Sequence, residues 1–270
     1  MIRVFPRRTT ATPIGDNVFV GGPPLFPVQT DMVAISCTFT WDKPECERLQ
    51  KEWRDQGYRV TIGGPAYDNR GEDFIPGQFL KEGYVITSRG CNNKCWFCSA
   101  WRREGPIREL PITQGWNVLD SNLLQCKYEH VLKVFKMLAK QKQKPAFTGG
   151  LEAAKLRDWH VDALTELKPK SVYFAYDTPD DYEPLQVASR KLNEAGIVKK
   201  TSHVVMCYVL IGYPRDTIAQ AEKRLKDVLS MGITPMAMLY RDQTGKFDYE
   251  WRRFQRTWAR PCMIHSKKMA

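Results

Sequence analysis

The stretch YVITSRGCNNKCWFCSAW, residues 84–101, places three cysteines directly after a short apolar segment. The segment YVITS (84–88) predicts a β-strand that ends just before the cysteines. Cys91, Cys95 and Cys98 then follow at spacings of four and three residues. Because thiolates at these spacings in one loop can bind one metal centre, the sequence predicts a metal-binding loop at the end of a strand.

From Tyr84 onward, short apolar runs alternate with helical patterns. The helical segment 128–141 has its apolar residues on one face, and the segment 218–232 ends at a glycine, as helices often do. Further strands are predicted at 116–122, 145–150, 171–179, 203–212 and 234–240. Six strands separated by helices predict a parallel α/β sheet with right-handed crossovers and both faces covered.

Polar residues and glycines follow the C-terminal ends of these predicted strands, where parallel α/β folds carry their sites. Besides the cysteines they are Asp120, Asn122, Gly149, Gly150, Asp177 and Gly212. For each of them a helix cap or a turn is the alternative role.

The first 82 residues have a different pattern. Segments 32–41, 44–57 and 59–68 predict a strand, a helix and a strand, with Pro44 in the first helical turn and Gly57 at the end. This region has no GxGxxG pattern, so no nucleotide binding is predicted for it. The predicted divisions are a βαβ extension (1–82), a core domain (83–245), and a C-terminal helix with a basic tail (246–270).

Composition limits the class of protein. The chain has 270 residues, enough for one large domain or one domain with an extension. It has no apolar run of membrane-spanning length and no signal-peptide pattern, so we expect a cytoplasmic protein without a membrane partner. Its eight cysteines then favour reduced thiols, metal ligation or catalysis over disulfides. The net charge of +11 permits a polyanionic partner, although a basic solvated surface explains it equally well.

Two metal centres are open to three cysteines. Structural zinc sites are closed by four ligands, whereas this loop offers three, and the next cysteine, Cys126, follows another predicted strand. An iron–sulfur cubane also takes cysteines at such spacings. Three ligands would leave one iron open to bind another molecule.

The Cys-x3-Cys-x2-Cys motif, with Phe97 before its third cysteine and a strand before its first, resembles the radical S-adenosylmethionine superfamily. The likeness covers the motif and the strand–helix order over about 84–242. It implies a partial (β/α)6 TIM-like barrel, with a [4Fe–4S] cluster on Cys91, Cys95 and Cys98 and S-adenosylmethionine on the fourth iron. It further implies reduction by a flavodoxin or ferredoxin, cleavage to a 5′-deoxyadenosyl radical, and abstraction of a substrate hydrogen.

The resemblance also implies cofactor contacts. The segment FTGGLEA (147–153) is similar to the family's glycine-rich strand end. The resemblance implies that glycine lets the backbone approach the amino group of the methionine moiety, and that Glu152 accepts a hydrogen bond from that group or from the ribose. A tight turn with Glu152 in the first helical turn is the alternative. The segment YVLIGYP (208–214) is similar to the strand that holds adenine. The implied contacts are Phe97, Asp120, Asn122, Gly149, Gly150, Glu152, Asp177, Tyr208 and Gly212.

Two further cofactors are not expected. A βαβ region before the cysteine strand resembles the cobalamin-associated branch, but this region is short and lacks the Asp-x-His-x-x-Gly motif, so no cobalamin is predicted. The other cysteines are predicted to be single buried thiols rather than a second cluster, although Cys262 and His265 lie close together in sequence.

The C-terminal segment WRRFQRTWAR (251–260) has its aromatic residues on one face and arginines largely on the other. It predicts a helix packed on the core, with a nucleic-acid contact as the alternative. With Lys267, Lys268 and the lysines of 140–144, nucleic acid is a candidate substrate. An iron–sulfur electron-transfer protein and a zinc-stabilised nucleic-acid-binding module are the alternatives to a radical enzyme.

Overall fold

The computed structural model describes residues 1–68, 70, 74–198, 203–259 and 264. These residues form two parallel sheets, each with its own hydrophobic core. The prediction of a mixed α/β protein with parallel sheets is therefore confirmed. No helix in these ranges has the length and apolar character needed to cross a bilayer.

The N-terminal sheet contains four parallel strands. They are β1 (Ile2–Phe5), β2 (Val18–Val20), β3 (Val33–Ser36) and β4 (Val60–Gly63), with helix α1 (Lys43–Asp55) between β3 and β4. Their spatial order is β2–β1–β3–β4. Three residues of α1 pack on the sheet, namely Cys46, Leu49 and Trp53.

The predicted βαβ unit is present as β3–α1–β4, but its sheet has four strands where two were predicted, because β1 and β2 were missed. Ile2 and Val4 are fully buried and share one core with Trp53. A strand of four residues followed by Pro6 offers too few positions for a period to be recognised. Strand β1 is part of the sheet because it pairs with β3, which is distant in sequence. A local sequence pattern does not reveal such pairing.

The remaining elements belong to the second half of the fold. The strands are β5 (Tyr84–Val85), β6 (Ser88–Arg89), β7 (Arg108–Glu109), β8 (Asn117–Val118), β9 (Ala146–Phe147), β10 (Ser171–Ala175), β11 (Val205–Ile211) and β12 (Thr234–Leu239). The helices are α2 (Ala100–Glu104), α3 (Tyr128–Ala139), α4 (Asp158–Leu167), α5 (Tyr182–Glu194), α6 (Ile218–Ser230) and α7 (Tyr249–Thr257).

Six of these strands form the main sheet, and all are parallel. Their spatial order, β5–β8–β9–β10–β11–β12, is also their order along the chain. The predicted strand 116–122 contributes only Asn117–Val118. After Val118 the side chain of Asp120 hydrogen-bonds to Thr87 and Ser88, and that of Asn122 hydrogen-bonds to Glu152. Strands β6 and β7 form a separate antiparallel ribbon that the sequence did not predict.

Helices α3 to α6 pack on one face of the main sheet, and together with that sheet they form what we call the main unit. Residues of α3 to α6 share a core with alternate strand residues such as Phe174 and Val209. The other positions point to the opposite face, where Tyr173 and Tyr208 are half-buried and Met238 is exposed. The expectation that both faces are covered is therefore wrong for β10–β12 in the described part of the chain.

Helix α7 packs as predicted. Trp258 is buried in the core of the main unit, and Trp251 and Phe254 pack against that core, while Arg253 and Arg256 are exposed. Cys262, His265, Lys267 and Lys268 lie outside the described residues, so the predictions that involve them are not addressed by the structure.

Candidate functional site

The cysteine loop is closed at its base by the β6–β7 ribbon. The backbone N–H of Cys91 donates to the carbonyl oxygen of Gly105 at 3.1 Å. Gly90 has φ +85°, and a Cβ there would lie 2.3 Å from the carbonyl oxygen of Pro106, so the tight approach requires glycine. The ribbon thus fixes where the loop leaves the sheet and where it returns.

The three motif thiols are half-buried, and Cys91 and Cys98 lie close enough to Cys95 to interact with it electrostatically. Burial, together with the charges of Cys98 and Cys91, raises the pKa of the Cys95 thiol to about 11. In the absence of a cation the Cys95 thiol is therefore protonated at neutral pH, and a metal ion beside it would favour the thiolate. Within the described ranges, no three His, Cys, Asp or Glu side chains are placed to hold a single metal ion. The ligands of a cubane attach to different iron atoms, so that finding concerns single-ion sites.

Aromatic residues of the loop reach across the sheet. Trp96 lies 5.4 Å from the ring of Phe97, 5.6 Å from that of Tyr213 and 5.9 Å from that of Tyr240, between ring centroids. Tyr213 follows β11 and Tyr240 follows β12, so the loop after the first strand contacts the ends of the last two. Trp101 donates its indole N–H to the carbonyl oxygen of Cys95 at 2.9 Å and so stabilises the loop.

A polar network links Cys91 to the ends of β8 and β9. The Asn122 amide donates to Glu152 Oε2 at 2.7 Å and to Cys91 Sγ at 3.5 Å. Gln125 also donates to Glu152 Oε2, at 2.7 Å, and accepts from the backbone N–H of Asn92. Asn122 Oδ1 is buried and has no hydrogen-bond partner among the described residues. The structure therefore brings Asn122 and Glu152 together beside the first motif cysteine.

Gln125 was missed by the sequence analysis. It lies in a short 3-10 turn after β8, and it joins the cysteine loop to Glu152. Its position seven residues after Val118 carries no recognisable motif, so only the fold reveals its contacts.

Asp120 is placed differently from its neighbour Asn122. Its carboxylate is 1% exposed and accepts from the Thr87 N–H and Thr87 Oγ at 2.6 Å and from Ser88 Oγ at 2.7 Å. Burial raises the pKa of Asp120 to about 6, although these hydrogen bonds oppose the rise. Asp120 thus holds the link between β5 and the cysteine loop, and its predicted cofactor contact stays a prediction.

Glycine is favoured at each of the two positions after β9 for a different structural reason. A Cβ on Gly149 would lie 2.2 Å from the carbonyl oxygen of Asp120, so this position admits no side chain without movement of the backbone. Gly150 has φ +94°, a conformation that favours glycine, and a Cβ there would make an ordinary contact of 3.9 Å with the carbonyl oxygen of Tyr173. The pair therefore forms a tight turn that leaves the backbone after β9 accessible.

The predicted residues of the later strands lie on the uncovered face or at its edge. Tyr208 stacks on Tyr173 at 4.9 Å between ring centroids, and burial raises its pKa to about 12. Asp177 Oδ1 accepts from the backbone N–H of Leu210 at 2.9 Å, and burial raises the pKa of that carboxyl to about 6. Gly212 has φ +73° and lies against the ring of Trp251.

A buried ion pair stabilises the turn at Gly212. Arg224 contacts Asp216 at 2.8 Å and donates to the carbonyl oxygen of Leu210 at 2.9 Å. Asp216 also accepts from the Gly212 N–H at 2.9 Å. The sequence analysis did not single out this pair, which fixes the end of β11.

The other described cysteines lie apart from the motif. Cys37 and Cys46 are buried in the N-terminal core, and Cys207 is buried in the main core. Cys126 is half-buried near Ser88, and burial raises its pKa to about 11. Cys37 and Cys46 hydrogen-bond to each other, so the prediction of single thiols is wrong for this pair. The absence of a second cluster stays a prediction.

Comparison with known protein-family models gave no match to this chain, and comparison with curated proteins gave none either.

Proposed function

We propose that the protein is a radical S-adenosylmethionine enzyme. The observation that carries the proposal is the network in which Asn122 contacts both Cys91 and Glu152. It joins the three-cysteine loop to the glycine turn after β9, so the loop proposed to bind the cluster is adjacent to the side chains proposed to recognise S-adenosylmethionine. An electron-transfer protein has no need of such a group beside its cluster.

The side chains at this place fit the two proposed cofactors. The half-buried thiols of Cys91, Cys95 and Cys98 supply three ligands for a [4Fe–4S] cluster. Asn122 Oδ1 is a buried acceptor with no partner in the described part of the chain, and an ammonium group is a suitable donor for it. When bound, the cluster and S-adenosylmethionine supply one-electron chemistry that the side chains lack.

The chain's own residues would bind and orient. Asn122, Glu152 and Gln125 would bind the polar end of the methionine moiety. The stacked rings of Tyr208 and Tyr173 offer an apolar surface on the uncovered face, and Phe97 and Trp96 shield the loop from water. In this assignment Gly149, Gly150, Asp177 and Gly212 shape the strand ends.

The partial (β/α)6 barrel is part of the same proposal. Strand order follows chain order across the main sheet, and the helices share a core with one face only. The contact of Trp96 with Tyr213 and Tyr240 brings the two edges of the sheet toward each other. These features support a sheet curled around the uncovered face. We propose no cobalamin, a flavodoxin or ferredoxin as reductant, and nucleic acid as the candidate substrate.

The test uses protein reconstituted anaerobically with iron and sulfide and then reduced with dithionite. Iron, sulfide and 5′-deoxyadenosine are measured with and without bulk RNA and DNA. We expect about four irons per chain and 5′-deoxyadenosine formation, both lost when Cys91, Cys95 and Cys98 are replaced by alanine. Cys126→Ala is the matched control, because Cys126 is also half-buried but lies outside the motif.

Each alternative has its own result. A cluster that forms but never cleaves S-adenosylmethionine, with or without nucleic acid, supports an electron-transfer protein and contradicts the proposal. A colourless protein that binds one zinc per chain supports the zinc module. Stimulation of cleavage by RNA or DNA would identify the substrate class.

A further inference from the structure

A cavity of about 710 Å³ lies between the two sheets, and the proposed cofactor site does not use it. One wall is the C-terminal edge of the N-terminal sheet, with Ser36, Thr38 and Gly64. The other wall contains Arg89 and Glu104, which flank the cysteine loop. A volume of this size suits a small organic molecule, and the carboxyl edge of a parallel sheet is where such ligands bind.

The wall beside the cysteine loop carries an excess of positive charge. Arg103 contacts Glu104 at 2.7 Å and Arg89 contacts it at 3.4 Å, so two guanidinium groups share one carboxylate. Glu104 also accepts from the Gly90 N–H at 2.9 Å and from Ser121 Oγ at 2.8 Å. The carboxylate is therefore fully used, and among the lining residues that the structure describes the two arginines exceed the acidic groups by one charge.

Arg89 is a largely buried cation that lies close to a second one, Arg103. Both guanidinium groups lie against the one carboxylate of Glu104, and both side chains are only 16% exposed. The Nε atoms of Arg89 and Arg103 are both buried and have no partner among the described residues. An anion beside these two arginines would offset their mutual repulsion.

The facing wall is apolar with hydroxyl groups at its rim. Gly64 has φ +106°, and a Cβ there would lie 2.6 Å from the carbonyl oxygen of Cys37, so the backbone approaches closely at this edge. Ser36 and Thr38 line the cavity, and apolar side chains form most of the remaining lining. They include Ile62 in β4 and Phe79 in the segment between the two sheets, whereas Ile86 and Leu119, directly after β5 and β8, belong to the wall with the arginines.

We propose that this cavity binds a small organic anion, with its single phosphate or carboxylate group paired to Arg89 and Arg103 and its apolar body against Ile62 and Phe79. The site is separate from the network of Asn122 and Glu152. Because Glu104 holds Gly90, the residue before Cys91, the bound anion adjoins the cysteine loop. The proposal depends on the cavity and its charges, and it stands whether or not the protein cleaves S-adenosylmethionine.

The test is isothermal titration calorimetry of the purified full chain under anaerobic conditions. The probe is 1-naphthyl phosphate, which has one phosphate on an apolar body. Its matched controls are 1-naphthol, which lacks the charge, and inorganic phosphate, which lacks the body. We expect one site for 1-naphthyl phosphate and at least tenfold weaker binding of each control.

Three variants locate the site. Arg103→Gln removes one of the two cations and should weaken 1-naphthyl phosphate binding at least tenfold. Thr38→Trp fills the cavity from the opposite wall without changing charge, and Thr38 is exposed, so the protein should tolerate it. Arg59→Gln is the control, because Arg59 is an exposed arginine just before β4, at the other edge of the same sheet.

Equal binding of the probe by the unmodified protein, Arg103→Gln and Thr38→Trp would overturn the proposal. So would binding of 1-naphthol or inorganic phosphate as tight as that of the probe. Circular dichroism establishes that each variant is folded, and Thr38→Trp still decides the question if Arg103→Gln is not. Loss of binding in Arg103→Gln and Thr38→Trp, with Arg59→Gln unchanged, supports the proposal.

Discussion

Replacing Asp120 by alanine should destabilise the fold, because its carboxylate holds the strand that leads into the cysteine loop. The carboxylate accepts from Thr87 N–H, Thr87 Oγ and Ser88 Oγ, and both donor residues are fully buried. Each buried donor left without a partner costs about 1–3 kcal/mol. The two hydroxyls can rotate toward other acceptors, whereas the backbone N–H cannot. Removing the buried charge also recovers part of its desolvation cost. We therefore expect a loss of about 3 kcal/mol in the free energy of unfolding.

The matched variant is Asp120→Asn. Its remaining carbonyl oxygen can still accept from the Thr87 N–H, and its amide group fills the same volume. We expect this variant to lose about 1 kcal/mol, since hydrogen bonds to a neutral acceptor are weaker than those to a charged one. The difference between the two variants separates the loss of the acceptor from the loss of charge.

The assay is urea unfolding at pH 7, followed by circular dichroism and by tryptophan fluorescence. Coincident transitions by the two probes would justify a single free energy of unfolding. If Asp120→Ala loses less than about 1 kcal/mol, the three hydrogen bonds do not stabilise this link and the reasoning is refuted.

Three further predictions follow from single contacts. Gly149→Ala should lose about 2–3 kcal/mol of unfolding free energy, because its Cβ would meet the backbone of Asp120. Gly57→Ala, where the new Cβ meets nothing within 4 Å, should lose only about 1 kcal/mol. Equal losses of the two variants in urea unfolding would contradict the packing argument. Burial raises the pKa of Asp177 in the folded protein to about 6, from its ordinary 3.8. The contribution of Asp177 to the free energy of unfolding is therefore largest below pH 4, where the carboxyl is protonated, and it is lost as the pH rises to 6. The unfolding free energy of the unmodified protein, minus that of Asp177→Asn, should fall by about 2–3 kcal/mol over this range, and a flat difference in a pH series of urea titrations would be inconsistent with the shift. Glu152→Gln should keep its iron content but require at least about tenfold more S-adenosylmethionine for half-maximal cleavage, and an unchanged requirement would exclude Glu152 from recognition.

The parallel sheet could be predicted because its strands and helices repeat a local pattern. The apolar faces of α3 and α6 and the apolar run of β11 each carry a clear period. The sequence analysis placed all six strands of the main sheet in the correct segments. It overestimated the strand at 116–122, because Asp120 bonds to Thr87 and Ser88 beyond the sheet instead of continuing the ladder.

The N-terminal strands and the polar network could not be predicted in the same way. Strand β1 is short and becomes a strand only by pairing with β2 and β3. Gln125 joins Glu152 and Asn92 through contacts between residues far apart in sequence. Such positions depend on tertiary structure, and one sequence contains no local signal for them.

Electron paramagnetic resonance of the reduced, reconstituted protein tests the central claim most directly. The claim is that Cys91, Cys95 and Cys98 leave one iron of a cubane open beside Asn122 and Glu152. We predict that S-adenosylmethionine changes the spectrum of the reduced cluster, and that Cys126→Ala behaves in the same way as the unmodified protein. A reduced cluster whose spectrum is identical with and without saturating S-adenosylmethionine would contradict the account.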